Sequence, residues 1–206
     1  MKKDIISIII ILLLGGLLFY ISTDGFRIYT IEAERVESLK NEKPDFPDVD
    51  VVDNKGRAYP FDEFEGKYIL MTFIYTSCET ACPMMEANMK EVYDTFDAGA
   101  YSDDLVFLST SFDTERDTVE VLDRYAEYFN ADGDTWRMLR VPEASDLDTV
   151  LDTYGVTVIP EGDADYQHNT SFYLLGPDGG LVEVLDYRDI DGAVQTLDKY
   201  VGEAAS

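Results

Sequence analysis

Cys78 and Cys82 are the only cysteines in the chain, and His168 is its only histidine. The thiols stand four residues apart in Cys78-Glu79-Thr80-Ala81-Cys82-Pro83. A thiol reacts and binds metal as its thiolate, which the unpaired N–H groups of a helix N-terminus stabilise. An apolar run of strand-forming residues, 67–75 (KYILMTFIY), ends just before Cys78, and a helical pattern follows Cys82. Pro83 suits the first turn of that helix, where its missing N–H is not needed. The pair thus sits where a buried strand gives way to a helix, a place for reactive or metal-binding sulfur.

Spacing narrows the chemistry. Three intervening residues are one more than in a C-x-x-C redox pair, and the extra residue lets the loop aim both sulfurs at one ion. A structural zinc site wants four protein ligands. Two thiolates and one imidazole suit copper better, Cu(I) above all, since it accepts low coordination numbers. A plain structural disulfide would close five residues and remove little chain entropy. A lone histidine is more often surface or core decoration, but His168 lies in 166–169 (YQHN), just before an expected strand. Met84, Met85 and Met89 are nearby, yet their helical spacing reads as core. A thiol peroxidase would carry threonine three residues before its cysteine and a proline upstream. Here Thr76 is two before Cys78, and the strand has no proline.

The elements that must hold these residues follow from hydrophobic patterning. Residues 48–52 form a short strand and 53–56 a turn. The run 67–75 is a central strand buried on both faces. Residues 84–96 are a helix with Met85, Met89, Val92 and Phe96 on one stripe. A second buried strand covers 105–109. The segment 114–117 resembles a capping box before a helix over 118–129. A short helix, 147–154, ends at Gly155. Strands 171–175 and 181–187 are joined by the turn 177–180 (PDGG), and a helix over 191–201 closes the chain. This order gives an α/β domain with helices on both faces of a sheet, and a thioredoxin-like fold satisfies it. In that fold the loop before the last hairpin approaches the thiol loop.

Composition sets the class of partner. There are 42 acidic and 16 basic side chains among 206 residues, a net charge of −26. A nucleic-acid backbone would repel such a surface, so no nucleic-acid role is expected. The acid excess keeps a surface soluble and also suits a saline medium, where screening removes its self-repulsion. Residues 5–21 carry no charge, lysines precede them, and Asp24 follows. Residues 1–23 are therefore expected to be a single-pass transmembrane signal anchor with a cytoplasmic N-terminus. No A-x-A-like cleavage site follows the run, and no cysteine is there to take a lipid. Residues 24–43 read as a polar stalk and 44–206 as the folded domain. That domain would lie on the extracytoplasmic side of the cell membrane, where thiols call for redox or metal chemistry.

Four blocks carry a resemblance to the Sco/SenC family of membrane-anchored copper proteins, across roughly residues 44–200. Residues 73–83 (FIYTSCETACP) are similar to F-x-Y-T-x-C-P-x-x-C-P. Residues 111–118 (SFDTERDT) are similar to S-x-D-P-x-R-D-T. Residues 165–170 (DYQHNT) are close to D-Y-x-x-D-H-S, with different local spacing. Residues 173–179 (YLLGPDG) are similar to Y-L-x-x-P-D-G. Glu79 stands where the family has proline, Asn169 where it has serine, and Gln167 where an aspartate precedes the histidine.

The resemblance implies a thioredoxin-like fold and copper, as Cu(I) or Cu(II), on Cys78, Cys82 and His168. It also implies delivery to the binuclear copper centre of the copper-bearing cytochrome c oxidase subunit, or reduction of the cysteines there. Asp113 falls at the family's acidic position near the site, as a carboxylate behind the ligands, a docking group or a loop cap. Tyr75 and Phe172 are expected to pack around the site. Two functions follow. One is a copper chaperone without turnover. The other is a thiol-disulfide oxidoreductase in which Cys78 and Cys82 attack and resolve. The segment 154–160 (YGVTVIP) is similar to the one that precedes the cis-proline of thioredoxins, which keeps the second open.

Overall fold

The computed structural model describes residues 2–22, 27–42, 46–96, 104–161 and 165–204. The chain forms two compact units, residues 1–41 and residues 42–206. The first contains α1 (Lys2–Ser22) and most of α2 (Arg27–Glu42). In α1 the side chains of 5–21 are all exposed. Among the described residues no helix is long and apolar enough to cross a membrane. The uncharged run of α1 rises ~25 Å at 1.5 Å per residue, at the lower edge of what a ~30 Å hydrocarbon core needs. The expected stalk is helical through α2, and Pro44 lies outside the described residues.

In the second unit β1 (Asp50–Asp53) and β2 (Ala58–Pro60) make a hairpin, and a 3-10 turn follows at Phe61–Phe64. Then come β3 (Tyr68–Ile74), α3 (Ala81–Phe96), β4 (Leu105–Ser111), α4 (Val119–Phe129), β5 (Trp136–Arg140) and α5 (Ala144–Thr153). The chain ends with β6 (Val158–Glu161), β7 (Asp165–His168), β8 (Phe172–Leu175), β9 (Leu181–Leu185) and α6 (Ile190–Ala204). Seven strands form one sheet in the order β2-β1-β5-β4-β3-β8-β9, while β6 and β7 form a separate two-stranded sheet. The inner strands β3, β4 and β5 are parallel, and β8 runs antiparallel to β3.

Local chemistry accounts for these elements. Six of the seven residues of β3 and all seven of β4 are buried, as strands covered on both faces require. On α3 the buried positions Cys82, Met85, Glu86, Met89, Val92, Tyr93 and Phe96 recur every three or four residues. Helix α3 packs on α4 and α6, and α4 also meets β5 and β1. The cap of α4 is Thr118, whose side chain accepts from Val121 N. The expected capping box at 114–117 is instead a turn, and its Asp117 faces inward. Asn130 ends α4 in the left-handed region, φ 58°. In the β8–β9 turn Gly179 has φ 80°, and Phe46 closes over its α-carbon.

Patterning misses β2, β5, β6 and β7. In β5 the arginines at 137 and 140 break the apolar run, although Trp136, Met138 and Leu139 are wholly buried. The Tyr93 ring packs on Phe107 at 5.2 Å and on Trp136 at 5.3 Å, which fixes α3 over β4 and β5. Truncating Phe107 to alanine removes the ring at this junction. Phe107→Ala is expected to cost about 3–5 kcal/mol, read as a lower urea midpoint at unchanged slope.

Candidate metal centre

The C-terminal end of β3 carries the chain into the cysteine turn. Cys78 N–H donates to the Tyr75 carbonyl at 3.2 Å. Cys82 is the second residue of α3. Its N–H belongs to the first turn, where no helical carbonyl is available, and it donates to Cys78 Sγ at 3.3 Å. Both cysteines are buried and neither is in a disulfide. His168 ends β7, with Nε2 3.6 Å from Cys82 Sγ. Its Nδ1 lies 2.9 Å from the Asn169 carbonyl. A carbonyl only accepts, so Nδ1 carries the proton and Nε2 presents its lone pair to the sulfur.

The fold thus brings the three sequence-expected residues to one place. Their side chains are not a closed cage: among the described residues no three His, Cys, Asp or Glu side chains are grouped to hold a metal ion. Tyr75, Cys78, Tyr166, His168 and Thr170 line an open cavity of about 290 Å³ there. The His168 ring packs on Phe112 at 5.0 Å and on Tyr75 at 6.2 Å. Phe172 packs instead on Tyr187 at 6.4 Å. Met85 and Met89 are wholly buried core residues, whereas Met84 is 51% exposed. No cis peptide bond occurs among the described residues, so Pro160 sits in β6 after a trans bond and the likeness of 154–160 to a cis-proline segment ends there.

Environment separates the two thiols. Burial opposes the Cys78 thiolate, but the N–H groups of Cys82 and Thr80, with the Cys82 and Tyr75 side chains, hold its pKa below the ordinary value. Burial pushes the Cys82 thiol well up, and the nearby Cys78 and Glu86 add to the rise. Burial also holds the His168 imidazole down, against its bond to Asn169, so the ring stays neutral. Asp113 is 4% exposed and bonds Arg116 through the backbone N–H at 3.3 Å and through the guanidinium.

Three contributors were not singled out from the sequence. Phe112 forms one wall against His168. Asp117 is wholly buried and bonds Thr76 in the cysteine turn. Glu86, one turn beyond Cys82, is wholly buried, and burial pushes its carboxyl up to about 8. Ser109 Oγ donates to Glu86 Oε2 at 3.0 Å, and Trp136 Nε1 donates to Ser109 Oγ at 3.1 Å. An acid at i+4 from a cysteine on the core stripe was the available signal.

The SCO1/SenC family profile matches residues 38–202. The chain belongs to this family. It is 31% identical to the SCO1 protein homolog of Bacillus subtilis (strain 168) over 138 residues, 66% of this chain and 69% of that one. The human mitochondrial SCO2 homolog is matched over 62% of its length, at 29% identity across 81% of this chain. Copper-bound ScoI of Bradyrhizobium japonicum superposes with a TM-score of 0.62 at 26% identity, over 74% of this chain and 96% of that one. BsSco, a member of the Sco family of cytochrome c oxidase assembly proteins described with a disulfide switch, superposes with a TM-score of 0.67 at 26% identity, over 78% and 95%. The α/β architecture is therefore the thioredoxin-like one of Sco proteins.

Two outcomes follow from the titration behaviour. In the reduced protein at pH 7, iodoacetamide labels Cys78 at least about tenfold faster than Cys82, read by peptide mass mapping; equal rates would contradict the split. Glu86 ionises near 4.5 when unfolded and about 8 when folded, so the stability of its protonated form is full below 4.5 and is lost as pH rises through about 8. Glu86→Gln is therefore expected to be more stable than wild type at pH 8, by on the order of 2 kcal/mol, with the gap closing toward pH 4.5. Urea melts at matched salt measure it.

Proposed function

We propose that this protein carries copper on Cys78, Cys82 and His168 and passes it to the copper-bearing subunit of a cytochrome c oxidase during assembly. The observation that supports this most directly is the 3.6 Å approach of the His168 Nε2 lone pair to Cys82 Sγ, at the end of a helix whose N–H also serves Cys78. The donor set of two sulfurs and an imidazole suits Cu(I). An open, three-donor arrangement leaves room for a client's ligand to enter before one of its own leaves, which transfer requires. Copper is cargo here, and the chain performs no turnover. The helix α1, with Lys2 and Lys3 before its apolar run, is the anchor in this reading and holds the domain on the extracytoplasmic side.

A second reading has its own support. A low-pKa thiol beside a buried, high-pKa one is the pairing a thiol-disulfide exchange uses, with Cys78 attacking and Cys82 resolving. In it the client's cysteines are reduced before they receive copper.

An anaerobic Cu(I) titration of the reduced protein against a competing chelator tests the first reading. Wild type is expected to take up one tight equivalent, and Cys78→Ala, Cys82→Ala and His168→Ala each to weaken it by about a hundredfold or more. No tight binding in wild type would defeat the copper reading. Rapid exchange with a model disulfide, indifferent to His168→Ala, would then favour the second.

A further inference from the structure

We infer that Arg116 and Asp117, neighbours in sequence, form a clamp that sets the separation between the cysteine turn and the histidine hairpin, with Asp117 as the principal positioning residue. The inference rests on the copper reading for its first readout only. Asp117 is wholly buried, and both its oxygens are engaged. Oδ2 accepts from Thr76 N at 3.0 Å and from Ser111 Oγ at 2.5 Å, and Oδ1 accepts from the Thr76 hydroxyl. Thr76 is two residues before Cys78, and Ser111 is the last residue of β4. One carboxylate therefore pins the turn that presents the sulfurs to the rim of the sheet.

The other half of the clamp points outward. Ser111 Oγ also accepts from Asp113 N at 3.1 Å, and Asp113 holds the Arg116 guanidinium. That guanidinium lies over the Tyr166 ring at 5.5 Å. Tyr166 is two residues before His168 in β7, and its N–H donates to Tyr75 Oη at 3.4 Å. Among the described residues no backbone ladder joins β6 and β7 to the main sheet, so side-chain contacts such as these help to decide where the imidazole stands. The residues two before Cys78 and two before His168 are thus tied to adjacent residues of one turn.

A clamp and a local charge predict opposite signs. Removing a negative charge near two thiolates would, by electrostatics alone, favour the thiolates and tighten Cu(I) binding. Loss of the clamp weakens it, because the amide of Asp117→Asn turns donors toward the donors of Thr76 and Ser111. Asp117→Asn in the full chain is expected to bind Cu(I) at least about tenfold more weakly than wild type. In a His168→Ala background the same change is expected to alter affinity less than about threefold, because the separation it sets no longer matters. Thr76→Val, which keeps the charge, should lose affinity likewise, and Thr76→Ser should restore it. These two also decide the matter if Asp117→Asn does not fold. Equal losses in both histidine backgrounds, or wild-type affinity in Asp117→Asn and Thr76→Val, would overturn the clamp. If wild type itself takes no Cu(I), the copper reading fails separately. The clamp is then judged by the Cys78–Cys82 equilibrium with dithiothreitol in Thr76→Val, which keeps the charge: a shift of about tenfold upholds it and no shift overturns it.

Discussion

Tyr68–Ile74 pairs along its whole length with β4 and, through Ile69–Met71, with β8 on the opposite edge. Its side chains are buried on both faces, so the strand cannot slide by one residue without breaking two ladders and repacking both faces. The end of β3 is consequently a fixed point. Phe112 N–H still donates to the Ile74 carbonyl at 3.0 Å, which carries that fixity one residue past β4. Four residues beyond Ile74 the chain reaches Cys78, and α3 starts at Ala81. The first helical N–H groups have no carbonyl to bond, and a sulfur is the acceptor at hand. The asymmetry between the thiols comes from this junction: the one outside the helix receives the N–H, and the one inside is buried beneath it.

Charge at the site is managed by burial more than by the −26 net charge of the whole chain. Cys82, His168 and Glu86 are all pushed by desolvation toward their neutral forms. A neutral imidazole keeps its lone pair, which a protonated one would not. Glu86 puts a buried acid behind Cys82, and once ionised it adds to the rise of that thiol. Ser109 holds one of its oxygens and is itself held by Trp136, so the acid sits in a polar seam between α3 and β4 and not in bare hydrocarbon.

The sulfurs and the imidazole were legible in the sequence because they are the only residues of their kinds and because an all-apolar strand ends beside them. Periodicity located β3, β4, α3 and α4 for the same reason, as these elements bury wide apolar faces. It failed at β6 and β7, which are short, largely exposed and interrupted by Pro160. That failure has a functional side, since His168 belongs to the unpredicted hairpin. Asp117 was visible only as a letter in a similar block. Its role depends on which way the turn 114–117 faces, and spacing carries no such information. Phe112 was hidden likewise, since a lone aromatic after a strand does not say which wall it will form. The membrane expectation rests on sequence alone, because a 17-residue uncharged run lies at the lower edge of what spans a bilayer.

Cysteines and histidine are mounted differently, and that bears on transfer. The cysteine turn hangs from a seven-stranded sheet. The imidazole hangs from a two-stranded hairpin, which has little stability of its own and must borrow it through side-chain contacts. Tyr166 supplies many of these, packing on Tyr75 at 5.1 Å and on Phe112 at 5.4 Å. Thr157 N–H, at the start of the hairpin, donates to Asn169 Oδ1 at 2.7 Å and ties its two ends together. Moving the hairpin away from the sulfurs breaks ring contacts without opening any ladder of the main sheet, so it costs less than moving the cysteines. In a carrier, the ligand that leaves first should be the one on the softer mount. For the copper carrier proposed above, the arrangement favours a sequence in which His168 releases, a client's ligand takes its place, and the thiolates follow.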